Sequence, residues 1–183
     1  MIENFDEALK EEAKLLIGSE GGSCCLRVEG RGTFKVSPTL KEAFAKEFEA
    51  GKKKFIIDLE ACSGMDSTFM GALAGMGMRL KKLEEARLLV IGASPKNQES
   101  LEELGLHYLL EIIPLGSSSE DDVATKEQGF SEVVKSCNPS DEGHILESHE
   151  NLIEIYVENK ARFQTVLEVL GSQKIMKDAD SQT

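Results

Sequence analysis

The chain predicts a layered α/β fold, with helices packed on a small, mostly parallel sheet, and three observations lead there. From Cys24 to Ile113, short apolar runs alternate with helical periodicity in the order strand, helix, strand, helix, strand, helix, strand. Two runs, Phe55–Leu59 and Leu88–Gly92, are apolar almost without a break, as in strands covered on both faces. Two helices are announced by serine followed by proline, Ser37-Pro38 and Ser94-Pro95, a cap and a first-turn residue.

In chain order, Asn4–Ile17 reads as a helix, with Phe5, Leu9, Ala13 and Leu16 on one stripe and Asn4 as its cap. Gly18 and Gly21-Gly22 stop it. Cys24–Val28 is a strand closed by Gly30 and Gly32, with Thr33–Val36 available to pair back on it. The helix opened by Ser37 carries Leu40, Phe44 and Phe48 and ends at Gly51. Phe55–Leu59 follows as a buried strand, then a loop from Glu60 to Met65. A third helix starts at Ser67 or Thr68 and runs to about Leu83. After the strand Leu88–Gly92 come a short helix, Lys96–Leu104, and an edge strand, Leu109–Ile113, stopped by Pro114.

Beyond Pro114 the composition changes. Between residues 117 and 150, nine Asp or Glu stand against two Lys, a net −7 out of the chain's −12. This reads as a solvated linker with one helical piece around Phe130–Val134. Helical periodicity returns with Leu152, Ile153, Tyr156, Phe163, Val166, Leu167 and Leu170, with a break near Asn159. That segment either docks on the domain's own core or serves a partner, including a second copy in a homodimer. The organisation expected is an N-terminal helix (1–22), the α/β domain (23–115), an acidic linker (116–143), a C-terminal helical extension (144–172) and a disordered tail (173–183).

Bulk properties exclude several functions. Of 183 residues, 40% are hydrophobic and only 5% aromatic, with no Trp, so the core is expected to be aliphatic. A net charge of −12 without a basic stripe opposes binding to nucleic acid or to an anionic membrane surface. No apolar run approaches the roughly 18–20 residues that span a bilayer. The acidic N-terminus lacks signal-peptide logic, which predicts the cytoplasm. Cys24 and Cys25 are adjacent while Cys62 and Cys137 stand alone, so buried thiols are expected and no metal site. His144 and His149, five residues apart, do not share a helix face. No nucleophile motif or paired carboxylates stand out, no cofactor is implied, and the chain reads as a regulator, not an enzyme.

What remains is Met65-Asp66-Ser67-Thr68-Phe69-Met70-Gly71, between a buried strand and a helix start. A helix amino end has unpaired amides and positive dipole character, so a phosphate on Ser67 would be tolerated there. It would add about −1.5 to −2 charges to the surface and repel a partner presenting acidic or apolar groups. The helix that follows is unusually bare, with Gly71, Ala72, Ala74, Gly75 and Gly77. Each glycine costs about 1 kcal/mol relative to alanine, so the helix either packs very close to the sheet or keeps a flat face for a partner.

From about Cys24 to Ile113 the chain resembles the STAS domain, in particular the bacterial anti-sigma factor antagonists. The resemblance rests on Phe55–Leu59, on Met65-Asp66-Ser67-Thr68 with Gly71, and on Ala93-Ser94-Pro95 followed by Leu101, Leu104-Gly105-Leu106 and Ile112. It implies a STAS-like fold and phosphorylation of Ser67, with Thr68 second. The implied partner is an anti-sigma factor that is also a serine kinase and binds the ATP. The unphosphorylated antagonist would sequester that kinase and free a sigma factor. Partner contacts are implied for the loop Gly30–Lys35, with Arg31, Thr33 and Lys35, and for Asp66, Thr68, Phe69, Met70 and Gly71. Asp66 is expected to shape the acceptor loop and help position the serine hydroxyl. Relatives often carry Gly where Phe69 stands, so its ring is either buried beneath the loop or a partner contact. The alternative reading is a non-switching STAS scaffold in a transport or stress-signalling assembly.

Overall fold

A computed structural model of the chain describes residues 13–116, 129–133 and 142–180. Its elements are β1 (Lys14–Glu20), β2 (Ser23–Gly32), α1 (Ser37–Glu49), β3 (Lys54–Asp58), β4 (Cys62–Met65), α2 (Ser67–Lys81), β5 (Arg87–Ala93), α3 (Pro95–Glu103), a 3₁₀ turn at Leu106–Tyr108, β6 (Glu111–Pro114), β7 (Ser131–Glu132), α4 (Glu142–Ile155) and α5 (Asn159–Asp180).

The strands form one mixed sheet in the order β6-β5-β3-β2-β1-β7, with β4 also pairing on β2. β2, β3, β5 and β6 run parallel, as the alternation predicts. β1 is antiparallel to β2, with Leu15 opposite Val28 and Ile17 opposite Leu26.

Alternation along the strands makes two faces. Cys24, Leu26, Val28, Phe55, Ile57, Leu88 and Val90 join Leu40, Phe44, Leu73, Leu80 and Leu101 of the helices in the main core. Cys25, Ile56, Leu89 and Ile91 form a smaller cluster on the opposite face, with Ile113 and Phe130 against it. On that face Arg27 pairs with the buried Asp58 at 2.7 Å and its guanidinium lies 4.1 Å from the Phe130 ring centre. The adjacent cysteines are thus free, buried and on opposite faces, and burial pushes both thiols up to about 12.

Several expectations are corrected. Residues 14–17, read as the end of a helix, are extended and pair with β2; the rest of that segment through residue 12 lies outside the described residues. The hairpin partner of β2 is therefore β1, and Thr33–Val36 is a turn leading into α1. A reading on apolar spacing alone cannot separate these cases, because Lys14–Glu20 is a short run whose polar residues face outward. Cys62–Met65, read as loop, is a strand. The first two residues of the expected edge strand, Leu109 and Leu110, are turn and bend, and β6 begins only at Glu111. Around Phe130–Val134, Ser131 and Glu132 pair antiparallel with Ile17 and Leu16 instead of forming a helix; the rest of the acidic stretch before Glu142 is mostly outside the described residues, and so is Cys137. The C-terminal helix continues to Asp180, past the expected end at residue 172.

The C-terminal pair docks on the domain itself. α2 lies between the sheet and α4, which explains why ten of its fifteen residues are buried on all sides. The break near Asn159 is real. Its buried amide donates to Leu104 O at 2.9 Å and to Leu152 O at 2.8 Å, closing α4 and tying it to the end of α3.

Candidate functional site

The site is built around the amino end of α2. Asp66 is its cap, in extended conformation, and the carboxylate serves two loops at once. Oδ1 accepts from Phe69 N and Oδ2 from Phe34 N, both at 2.8 Å. Asp66 N donates to Gly32 O at 3.0 Å. One side chain thereby fastens the loop after β2 to the start of α2, so Arg31, Thr33 and Lys35 border Asp66 and Ser67 on a single edge. Arg31, Phe34 and Lys35 are exposed; Thr33, Asp66 and Ser67 are half-buried.

The other residues expected at a partner surface lie beneath it. Phe69 is fully buried, and a Cβ on Gly32 would stand 2.9 Å from its ring. The ring supports the loop from below, and Gly32 leaves room for it. Thr68 and Met70 are buried too.

Gly71 and Gly75 meet α4, not the sheet. A Cβ at Gly71 would lie 2.1 Å from Ser148 O, and one at Gly75 2.6 Å from Asn151 Nδ2. Asn151 Nδ2 donates to Gly71 O at 3.3 Å. Gly77 makes room for Leu109 and Leu110. Close packing is thus the reason for the bare helix, with the chain's own extension as the close neighbour at two of the three glycines.

Sequence reasoning missed His149. Its Nε2 lies 3.0 Å from Ser67 Oγ, and its Nδ1 is 2.8 Å from Ile145 O. A carbonyl only accepts, so Nδ1 carries the hydrogen, and in the neutral ring Nε2 accepts from the serine hydroxyl. The imidazole packs edge-on against Phe163, 4.9 Å between centroids. Asp66 therefore shapes the loop, as expected, while the hydroxyl is held by a residue 82 positions away. A signal was present: His144, Ser148 and Leu152 recur every four residues and all three are buried. Two of the three are polar, so they leave no apolar period, and His149 itself lies one position off that row. Lys41 of α1 pairs with Glu147 and approaches His144 Nδ1 at 3.4 Å, so the two histidines touch different groups.

A serine donating to a histidine is the first half of a nucleophile pair. A cleft of about 520 Å³ between α1, α2 and α4 is lined by Lys41, Phe44, Gly75, Arg79 and Asn151 and does not include Ser67. No helix among the described residues is long and apolar enough to cross a membrane.

Comparison with known proteins agrees with this architecture. The STAS domain family model matches residues 16–121, more than half of the chain, and the chain belongs to that family. An anti-sigma factor antagonist from Mycobacterium paratuberculosis has a similar structure, with TM-score 0.53 and 20% identity over 64% of this chain and 95% of that one. The anti-sigma factor antagonist SpoIIAA in its unphosphorylated form gives TM-score 0.48 and 15% identity over 61% and 96%. The phosphorylated form of the Bacillus protein gives 0.47 and 17% over 61% and 97%. At 20% identity the likeness to the Mycobacterium protein speaks for the fold alone. No curated protein matches the sequence.

Proposed function

We propose that the chain is an anti-sigma factor antagonist that works by partner switching, with Ser67 as the phosphoacceptor. The observation that carries this is the edge organised by Asp66, where the loop 30–35 and the hydroxyl of Ser67 share one surface at a helix amino end. The partner is an anti-sigma factor with serine kinase activity, which holds the ATP; the chain itself is a cytoplasmic regulator of transcription and not an enzyme. Unphosphorylated, it binds that kinase through Arg31, Thr33, Lys35 and the Asp66–Ser67 turn. A phosphate adds charge where the partner sits and releases it. Thr68 is the second choice as acceptor and is buried, which favours Ser67.

Incubation with the partner kinase and ATP, followed by mass mapping, is expected to place the label on Ser67; label outside positions 67 and 68 would sink the assignment. Ser67→Asp is expected to weaken kinase binding at least about tenfold, the effect of a charge added against the partner, while Ser67→Ala retains it.

A second reading, a non-switching STAS scaffold, is favoured by one observation, the coverage of the Gly71–Gly75 face by α4. Stable co-purification with assembly subunits, without phosphorylation in cells, would select it. Val169 stays exposed on α5, and a homodimer through the C-terminal helix would form there.

A further inference from the structure

We infer that α4 is a displaceable internal ligand of the surface that carries Ser67, and that a phosphate on Ser67 ejects it. The inference rests on the reading of Ser67 as the modified residue and adds a second consequence of the modification, inside the chain.

The contact between α2 and α4 is intimate but polar. At its centre the bare backbone of α2 meets polar groups of α4, Gly71 facing the Ser148 carbonyl and Gly75 the side-chain amide of Asn151. Around it lie the buried side chains of His144, Ser148 and His149, with Leu152 as the apolar anchor. Polar contacts of this kind characterise interfaces that open, since water can replace most of what is lost. The far end is held differently. Asn159, with two hydrogen bonds in a buried setting, pins the α4–α5 junction to Leu104. Release of the 144–151 half can therefore hinge on Asn159 without detaching the extension.

Ser67 is where a phosphate meets α4 directly. The hydroxyl oxygen lies at hydrogen-bond distance from His149 Nε2, so with the side chain in this orientation phosphorus and three more oxygens would occupy the space the imidazole fills. The ring has little freedom to yield, being held by Ile145 O on one side and Phe163 on the other. Charge acts in the same direction. With Nδ1–H committed to Ile145, Nε2 presents a lone pair to the phosphate oxygens. The amino end of α2 favours the anion instead, so the phosphate stays on α2 and α4 leaves.

The test uses the full chain with phosphoserine installed at position 67 during synthesis, and reads amide hydrogen exchange. Exchange across residues 144–152 is expected to rise about tenfold or more, while β3 and β5 keep their protection. Ser67→Ala, which removes the hydrogen bond without adding charge, is expected to leave 144–152 protected. Unchanged exchange in the phosphorylated chain would overturn the inference, because the serine then simply turns its phosphate to solvent. Slower exchange would overturn it too, showing an imidazolium of His149 gripping the phosphate. Loss of protection in β3 and β5 as well would mean unfolding of the domain, also against it, and so would full release of α4 in Ser67→Ala. No kinase is present in the experiment, so its outcome is separate from whether a partner kinase phosphorylates Ser67.

Discussion

Asp66 holds two amides with one carboxylate, and its two oxygens can be separated by substitution. Asparagine keeps an oxygen for Phe69 N, but its second atom is a donor facing the donor Phe34 N. Asp66→Ala is expected to destabilise the domain by about 1–2 kcal/mol, the usual loss for a cap. Asp66→Asn is expected to cost less in urea unfolding yet still free the Phe34 amide to exchange. Equal costs for both variants would mean that the second bond, not the cap, dominates. Asp66 is also where the sequence was most informative about the site. A cap followed by Ser-Thr is written locally, because capping involves residues only three apart. Phe69 was ambiguous for the opposite reason, since its burial depends on Gly32, 37 positions earlier.

At the scale of elements, the glycines of α2 separate intrinsic helix propensity from packing. In an isolated helix Gly→Ala gains about 1 kcal/mol. Gly171, inside α5 with nothing near its missing Cβ, should show that gain. Gly71→Ala is expected to have the reverse sign and to destabilise by roughly 1–3 kcal/mol, because the new Cβ would stand 2.1 Å from the Ser148 carbonyl. Urea unfolding of the two variants side by side checks the sign. A stabilised Gly71→Ala would mean that α4 does not rest on α2 in solution. The bareness of α2 was plain in the sequence, but what fills the space was not, since Ser148 and Asn151 lie about 75 residues further along the chain.

For the molecule as a whole, the buried thiols of β2 tie stability to alkaline pH. Burial, more than the neighbouring charges, raises Cys24 and Cys25 from 9.0 to about 12 in the fold. Between these values the unfolded chain has lost protons that the folded chain retains, so stability is complete below pH 9 and falls as pH rises. Each thiol contributes a slope of up to about 1.4 kcal/mol per pH unit. Chemical unfolding from pH 8 to 10.5 is expected to show Cys25→Ala losing less stability with pH than the parent chain. Parallel pH curves would count against a buried, protonated thiol at that position.

The sequence by itself determined the parallel core: β2, β3 and β5, the helices between them, a helix start at Ser67 or Thr68 and the break near Asn159. These features are carried by period, caps and prolines within a few residues, and such local signals survive without knowledge of the neighbours. Tertiary structure alone decided that Lys14–Glu20 is a strand, that Phe69 lies beneath its loop, and that α4 covers the glycine face with His149 on Ser67. In each case the deciding partner is far away in sequence, and polar contacts such as His149 to Ser67 leave no hydrophobic period to read.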